Sequence, residues 1–387
     1  MNIVSIFAGR KNNLEILNKY LQKALDLKII DEVHFWNNTR NKEDEEYLKS
    51  ISNLKRSSKN LEYTITPEII YNDNQYSFEL MIKGICAYIK INNYEIILSN
   101  RSVIRDKERE IFTLTMNNVM NNSEYNMFKF VINDKINVYK NNKLIMTANI
   151  QPIQPNIISF KTEGPGHVQY KTTEHKGFYF MDTCEKSWKN YYNHYAKGYE
   201  NDIIIKCDDD IVYIDLVQLP NYIDFIKNND YDLVFANTIN NGVSAFFQQE
   251  FDLIPKQLME LEYPENGFCG SLWEDGKKAE KLHDYFIENY KKFVTHRSNK
   301  CIEINTRFSI NFFGYKGKKW YKIADCYIED EHTLTVECVN NRQFKNMLYC
   351  DFYVSHLSFA KQNETMDLNR MIDRYNMLYD IVDFNLI

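Results

Sequence analysis

No Cys-x-x-Cys pair occurs anywhere in this 387-residue chain. Its eight cysteines, at positions 86, 184, 207, 269, 301, 326, 338 and 350, lie scattered. That pattern argues against a zinc site or a disulfide framework and fits reduced thiols. No run of about 18 apolar residues exists, so no membrane-spanning helix is expected. No long Lys/Arg stretch exists, and the net charge is only −6, so the electrostatic footprint of a nucleic-acid binder is missing. The opening "MNIVSIFAGRKNN" has no basic segment before its short apolar run, unlike a signal peptide. A cytoplasmic protein is expected. Glycine (12) and proline (7) are scarce while Asn, Lys, Ile and Tyr are plentiful, which we read as AT-rich coding bias.

What is present is an ordinary globular balance, 44% hydrophobic and 26% charged. The length predicts two domains. "NIVSIFAG" (2–9) reads as a buried parallel strand, and the helix after it has Asn12 and Glu15 spaced as a capping box. "EVHFWNNT" (32–39) reads as a second strand, completing a βαβ unit. From residue 61 the texture changes to short alternating strands, with Asn133-Asp134 and Asn141-Asn142 as turns. This all-β stretch, a sandwich by its pattern, ends near "QPIQPN" (151–156). Then α/β texture resumes: helix in "TCEKSWKNYYNHYAKGY", strand in "DIIIKC", helix in "LVQLPNYIDFIKNN", strand in "YDLVFAN" and a final amphipathic helix. The expected organisation is one α/β domain, 1–60 plus 155–387, with a β-sandwich inserted over 61–154.

The distinctive stretch is "NDIIIKCDDDIVYID" (201–215). Asp208, Asp209 and Asp210 fall where an apolar strand should end, the place where open α/β sheets bind ligands. Carboxylates so close cannot all stay ionised cheaply unless a cation compensates them. Mn²⁺ or Mg²⁺ bridging a phosphate-bearing substrate to Asp208 or Asp210 would do so. A solvated acidic turn beside a helix N-terminus is the plainer alternative.

A buried strand ending in Asp-x-Asp within a nucleotide-binding α/β domain resembles the GT-A-type glycosyltransferases, and "NTRFSINFFGYKGKKW" (305–320) resembles stretches of capsule-type and giant-virus members. The resemblance covers roughly 1–60 and 155–387. It implies an α/β, Rossmann-like, mostly parallel nucleotide-sugar domain. It implies a nucleoside diphosphate sugar donor, UDP-sugars first, and a glycan or other glycoconjugate acceptor. It implies that Ala8, Gly9, Arg10, Asn37, Asn38 and Thr39 line the nucleotide pocket. There Gly9 would allow close backbone approach, and Arg10 would offer a diphosphate contact. Asp208 and Asp209 would join the donor site, with Arg307 as a phosphate partner. Asp208, Asp210 and His356 would hold the metal. In "CYIEDEHTL" (326–334), Asp330 would be the general base of an inverting transfer, with Glu331 as second choice. Lys361 could neutralise the leaving diphosphate, and Asn311 could bind a sugar hydroxyl. A viral origin would place the protein in host cytoplasm. Ordinary βα turns and an acidic surface loop remain the plain alternatives for these positions.

The insert resembles the β-sandwich module named after farnesoic acid O-methyltransferase, on "YEIILSNRSVIRD" and "FKFVINDKINVYKNNKLI". A lectin-like or acceptor-docking role and a spacer or dimer-contact role both fit it. Two rivals to sugar transfer stay open. One is a carbohydrate-binding protein on a degenerate transferase scaffold. The other is a nucleotidyltransferase, disfavoured because no Gly-rich, Lys-containing phosphate loop follows the first strand.

Overall fold

The computed structural model describes residues 1–58, 63–65, 67, 69–72, 74–107, 109–115, 119–120, 125–155, 158–163, 166–169, 177–182, 188–195, 199–267, 269–322, 329–341, 344–382 and 384. The chain divides into two compact units, Met1–Tyr47 with Ser187–Ile387, and Leu48–Lys186. The second is wider at both ends than the 61–154 segment marked by texture. Its elements β3 (Asn53–Ser58), β15 (Gly166–Gln169) and β16 (Phe178–Asp182) lie outside that segment and pair with one another.

The first unit opens with β1 (Asn2–Ala8), α1 (Lys11–Asp26), β2 (Glu32–Asn37) and α2 (Lys42–Ser50). Leu14, Leu17, Tyr20, Leu21 and Ala24 recur every three or four residues on α1 and are buried, which holds the helix against the sheet. The expected Asn12–Glu15 capping box does not form. The N-cap position falls on Arg10 with no side-chain cap, and Asp44 accepts the Lys11 backbone N–H at 3.0 Å instead. Arg10 is drawn elsewhere, as described below.

Among its described residues, the regular elements of the second unit are strands apart from the end of α2. Besides β3, β15 and β16 it contains β4 (Tyr63–Ile65), β5 (Ile70–Asn72), β6 (Gln75–Lys83), β7 (Cys86–Ile91), β8 (Tyr94–Leu98), β9 (Arg101–Asp106) and β10 (Arg109–Thr115). Then come β11 (Asn126–Ile132), β12 (Lys135–Lys140), β13 (Lys143–Asn149) and β14 (Ile158–Glu163). One sheet runs β13-β12-β11-β6-β15-β3-β16, the other β10-β9-β8-β7-β14-β4. Leu80, Ile82, Phe128 and Phe130 from the first share one core with Ile89, Ile91, Ile96, Ile104 and Phe160 from the second. Asn141 and Asn142 close the β12–β13 hairpin, both at positive φ, the backbone a tight two-residue turn demands.

The first unit continues with α3 (Trp188–Tyr195), β17 (Ile203–Asp208), β18 (Ile211–Ile214), α4 (Leu219–Asn228), β19 (Leu233–Ile239) and α5 (Gly242–Glu250). After α6 (Ser271–Glu274) and α7 (Gly276–Thr295) follow β20 (Cys301–Ile304), β21 (Phe312–Lys316), α8 (Asp330–His332), α9 (Cys338–Asn340), β22 (Asn346–His356) and α10 (Leu368–Ile381). The sheet order is β2-β1-β17-β21-β19-β22-β18, with β20 also on β22.

This overturns the expected fold class. A Rossmann-like, mostly parallel GT-A domain is not what forms. Three pairings of this sheet are parallel, β1–β2, β1–β17 and β19–β22. Four are antiparallel, β17–β21, β19–β21, β18–β22 and β20–β22. The sheet is mixed, and with the second unit, antiparallel except for the β3–β16 pair, the chain is rich in β-structure. The reason is in the connections. A parallel neighbour needs a long crossover, whereas β18 follows β17 after two residues and β21 enters between β17 and β19 from the opposite direction. Because β21 runs against both β17 and β19, strands β1, β2, β17, β19 and β22 nevertheless point the same way. Their carboxyl ends therefore share one edge of the sheet.

Candidate metal centre

At that edge the apolar run Ile203-Ile204-Ile205 gives way to Asp208, and only Asp209 and Asp210 separate β17 from β18. β18 pairs with the end of β22, setting Ile211 opposite His356, and the Leu357 N–H donates to the Asp210 carbonyl at 2.9 Å. Side-chain ligand atoms of Asp208, Asp210 and His356 thereby come within 4.8 Å of one another. Asp210 is 6% exposed and His356 3%. Asp210 Oδ1 lies 3.3 Å from His356 Nε2, and this buried oxygen makes no hydrogen bond. Two carboxylates, one imidazole and one buried oxygen lacking a partner fit a hard divalent cation such as Mn²⁺ or Mg²⁺.

The middle aspartate is used differently. Asp209 Oδ2 accepts the Gly9 backbone N–H at 2.8 Å, and Arg10 donates to both Asp209 oxygens and, at 2.8 Å, to Asp210 Oδ2. A Cβ on residue 9 would sit 3.1 Å from the Asn38 carbonyl oxygen and 3.4 Å from Asp209 Oδ2, so glycine is what the packing accepts best. Burial pushes the Asp209 carboxyl up despite Arg10. Burial pushes Asp210 up as well, but His356 and Arg10 outweigh it and hold that carboxyl below its usual range. Asp208 is tied from its own strand by Lys206 and accepts from Asn311 Nδ2 at 3.0 Å. Burial opposes the charge on Lys206, which Asp208 more than restores, and Lys206 also donates to the Ile310 carbonyl.

Asp208 opens into a cavity of about 410 Å³, lined also by Phe7, Tyr191, Tyr192, Lys206, Arg307, Ile310, Glu329, Asp330 and Glu331. Two cations face four carboxylates there, so an anionic substrate would need further positive charge. Tyr192 reaches the cavity because α3 is pinned by a buried network. Tyr195 OH lies 2.8 Å from Ser5 Oγ and 2.7 Å from His34 Nδ1, and Trp36 donates to both Ser5 and Tyr195 at 3.1 Å. The Tyr192 hydroxyl donates to Asp330 Oδ2 at 2.9 Å, while Asp330 Oδ1 accepts the Glu331 N–H at 2.9 Å. Arg307 donates to Glu331 Oε1 at 2.6 Å and also to Glu329. Burial pushes the Glu331 carboxyl up against the pull of Arg307.

The residues picked from sequence separate into groups. Asp208, Asp210 and His356 converge, with Gly9, Arg10 and Asp209 beside them, and Arg307, Asp330 and Glu331 line the same cavity as Asp208. Ala8 is fully buried at the end of β1. Asn37 Oδ1 accepts from Thr39 Oγ1 at 2.7 Å and Thr39 N at 3.2 Å, closing a local turn, and the Asn38 N–H donates to the Ala8 carbonyl at 2.8 Å. Lys361 pairs with Glu364 at the surface, and Asn311 holds Asp208. Lys206, Tyr191 and Tyr192 were not singled out from sequence. The signal for Lys206 was legible: one charged residue inside an otherwise apolar strand. Six cysteines among the described residues, 86, 207, 269, 301, 338 and 350, are free thiols. No described helix is long and apolar enough to cross a membrane.

No family model matches this chain. No curated protein matches it either. Among solved structures it is similar to a carbohydrate-binding module, CBM66, from Bacillus subtilis, at 8% identity and a TM-score of 0.21, over 30% of this chain and 95% of that one. It is similar to sheep galectin-11 in complex with glycerol, at 13% identity and a TM-score of 0.22, over 28% of this chain and 95% of the galectin. It is similar to a galectin from Caenorhabditis elegans, at 11% identity and a TM-score of 0.22, over 28% and 94%. At such identities and scores neither fold nor ligand is carried over from them.

Proposed function

We propose that the first unit transfers a sugar from a nucleoside diphosphate donor, UDP-sugars first, to a hydroxyl acceptor, with a divalent cation as cofactor. The observation that carries this reading is the convergence of Asp208, Asp210 and His356 at the carboxyl edge of the sheet, beside an acid-lined cavity. Asp208 and Asp210 with His356 would hold Mn²⁺ or Mg²⁺, which when bound supplies positive charge to the departing diphosphate. Arg10 and the Gly9 N–H fix the acidic turn through Asp209. Lys206 and Asn311 orient Asp208.

Asp330 is the residue assigned to remove the acceptor proton. It receives a hydrogen bond on each oxygen, from Tyr192 and from the Glu331 N–H, which sets its orientation. Glu331 is engaged by Arg307 and serves the base role less well. Holding donor and acceptor in one cavity converts a bimolecular encounter into a positioned reaction. The test is thermal stabilisation by nucleoside diphosphate sugars with and without Mn²⁺. Stabilisation that needs both supports transfer; stabilisation by neither, alone or together, removes the reading.

A second reading is carbohydrate binding without turnover. It is favoured by a separate polar pocket on the second unit, and it requires glycan stabilisation that is indifferent to Mn²⁺.

A further inference from the structure

The sheet β10-β9-β8-β7-β14-β4 turns one face inward. Ala87, Ile89, Ile91, Ile96, Leu98, Ile104, Ile158 and Phe160 are buried in the core. Strand alternation sends the intervening residues to the opposite face. Register then lines them up. Ser159 stands opposite Lys90, Lys90 opposite Glu95, and Glu95 opposite Arg105, so one row crosses β14, β7, β8 and β9. In the next row Lys161 stands opposite Tyr88. These six side chains, all half-buried, line a cavity of about 180 Å³.

The chemistry of the cavity is specific. Along its lining Lys90, Arg105 and Lys161 outnumber Glu95, in a chain of net charge −6, and Arg105 also pairs with Glu110 at 3.5 Å. Arg105 donates to Glu95 at 3.3 Å, and Lys161 Nζ lies 5.4 Å from the Tyr88 ring centre. Tyr88 packs on Cys86, Ile97 and Val103, an apolar patch separate from the main core, which holds the ring in place. The volume is below the roughly 300 Å³ at which ordinary ligand clefts begin, so the pocket takes one ring-sized group and not a length of chain. A bare phosphate would gain from three cations but be repelled by Glu95. A sugar bearing an acid group uses everything present: its carboxylate meets the cations, its hydroxyls donate to Glu95 and accept from Ser159, and its apolar face meets Tyr88.

We propose that this sheet face is a binding site for an acidic sugar residue of a glycan, such as a uronate. It is independent of the metal cluster and gives the carbohydrate-binding reading a location. The test is titration of the full chain with a galacturonate trisaccharide, its methyl-esterified counterpart and inorganic phosphate, read by calorimetry. The acidic trisaccharide is expected to bind, with affinity falling as salt rises, and the ester to bind at least about tenfold more weakly. Lys161→Glu and Lys90→Glu should each remove the acidic trisaccharide, and Tyr88→Ala should weaken it by removing the ring that the sugar's apolar face meets. The urea-unfolding transition of the same variants reports that the chain is folded and should superimpose on the parent's. Equal binding of ester and acid, phosphate binding as tightly as the trisaccharide, no binding at all, or binding indifferent to both lysine reversals would each overturn the proposal. If the sugar fails and an acidic peptide binds instead, the face is a protein site and the proposal falls.

Discussion

Two polar cavities of this molecule are built on opposite plans. In the first unit, acids are gathered at the carboxyl edge of co-directional strands, Asp209 and Asp210 buried and Asp208 half-buried, and held against Arg10, Lys206 and His356. In the second, cations are spread across the face of an antiparallel sheet and remain half-exposed. An edge cluster concentrates charge in low dielectric, where each pairing is strong and each unpaired group is costly. A sheet-face row leaves its charges wet, so any single pair contributes little. The first plan suits a tightly held ion, the second a weakly held, hydroxyl-rich ligand.

The comparison breaks most visibly at Asp210. Asp210→Asn should abolish Mn²⁺ binding measured by calorimetry, since even partners of metal ligands shift affinity about 10- to 100-fold. Retained binding would show that the buried carboxylate is structural. Asp330→Asn should leave Mn²⁺ and donor binding intact and lower transfer by about 10²- to 10⁴-fold in a turnover assay. Loss of donor binding instead would make Asp330 part of the donor site.

Asp215 sharpens the comparison inside the first unit. It is buried like Asp210 but, among the described residues, accepts only from the Val217 and Gln218 backbone N–H groups, at 3.1 and 3.2 Å, and burial pushes its carboxyl up to about 7. Its folded value exceeds the unfolded one, so its contribution to stability is full below pH ~4 and is lost as pH rises through about 7. Asp215→Asn should therefore gain on the parent between pH 4 and 8, by roughly 4 kcal/mol at most, in urea unfolding. A constant difference across that range would contradict the assignment.

Two arginines give the smaller effects. Arg10→Gln leaves Asp209 buried with its main cation gone and should cost about 3 kcal/mol in unfolding experiments. Arg105→Gln removes partly exposed pairs with Glu95 and Glu110 and should cost about 1 kcal/mol or less. Equal losses would erase the distinction between edge and face.

Several of these features are legible in local sequence. The Ile-rich run ending in three aspartates predicts a buried strand with an acidic exit, because apolar side chains leave water and charged ones do not. The asparagine pair at 141–142 predicts its hairpin from the backbone it tolerates. The capping box at Asn12 misled because Asp209 and Asp210 claim Arg10, shifting the helix start to a residue whose side chain faces the acids. The parallel sheet misled because strand direction is set by the connections, and an apolar run reads the same forwards and backwards.

Sequence by itself determined that acids would stand at the end of a buried strand and that a long stretch would be strand alone, since side-chain periodicity and charge act locally. Only the tertiary structure decided that His356 would meet Asp210, that Lys206 would hold Asp208, and that Ser159, Lys90, Glu95 and Arg105 would share a row. Those neighbours come from strands far apart along the chain, and pairing register, which no short stretch encodes, brings them together.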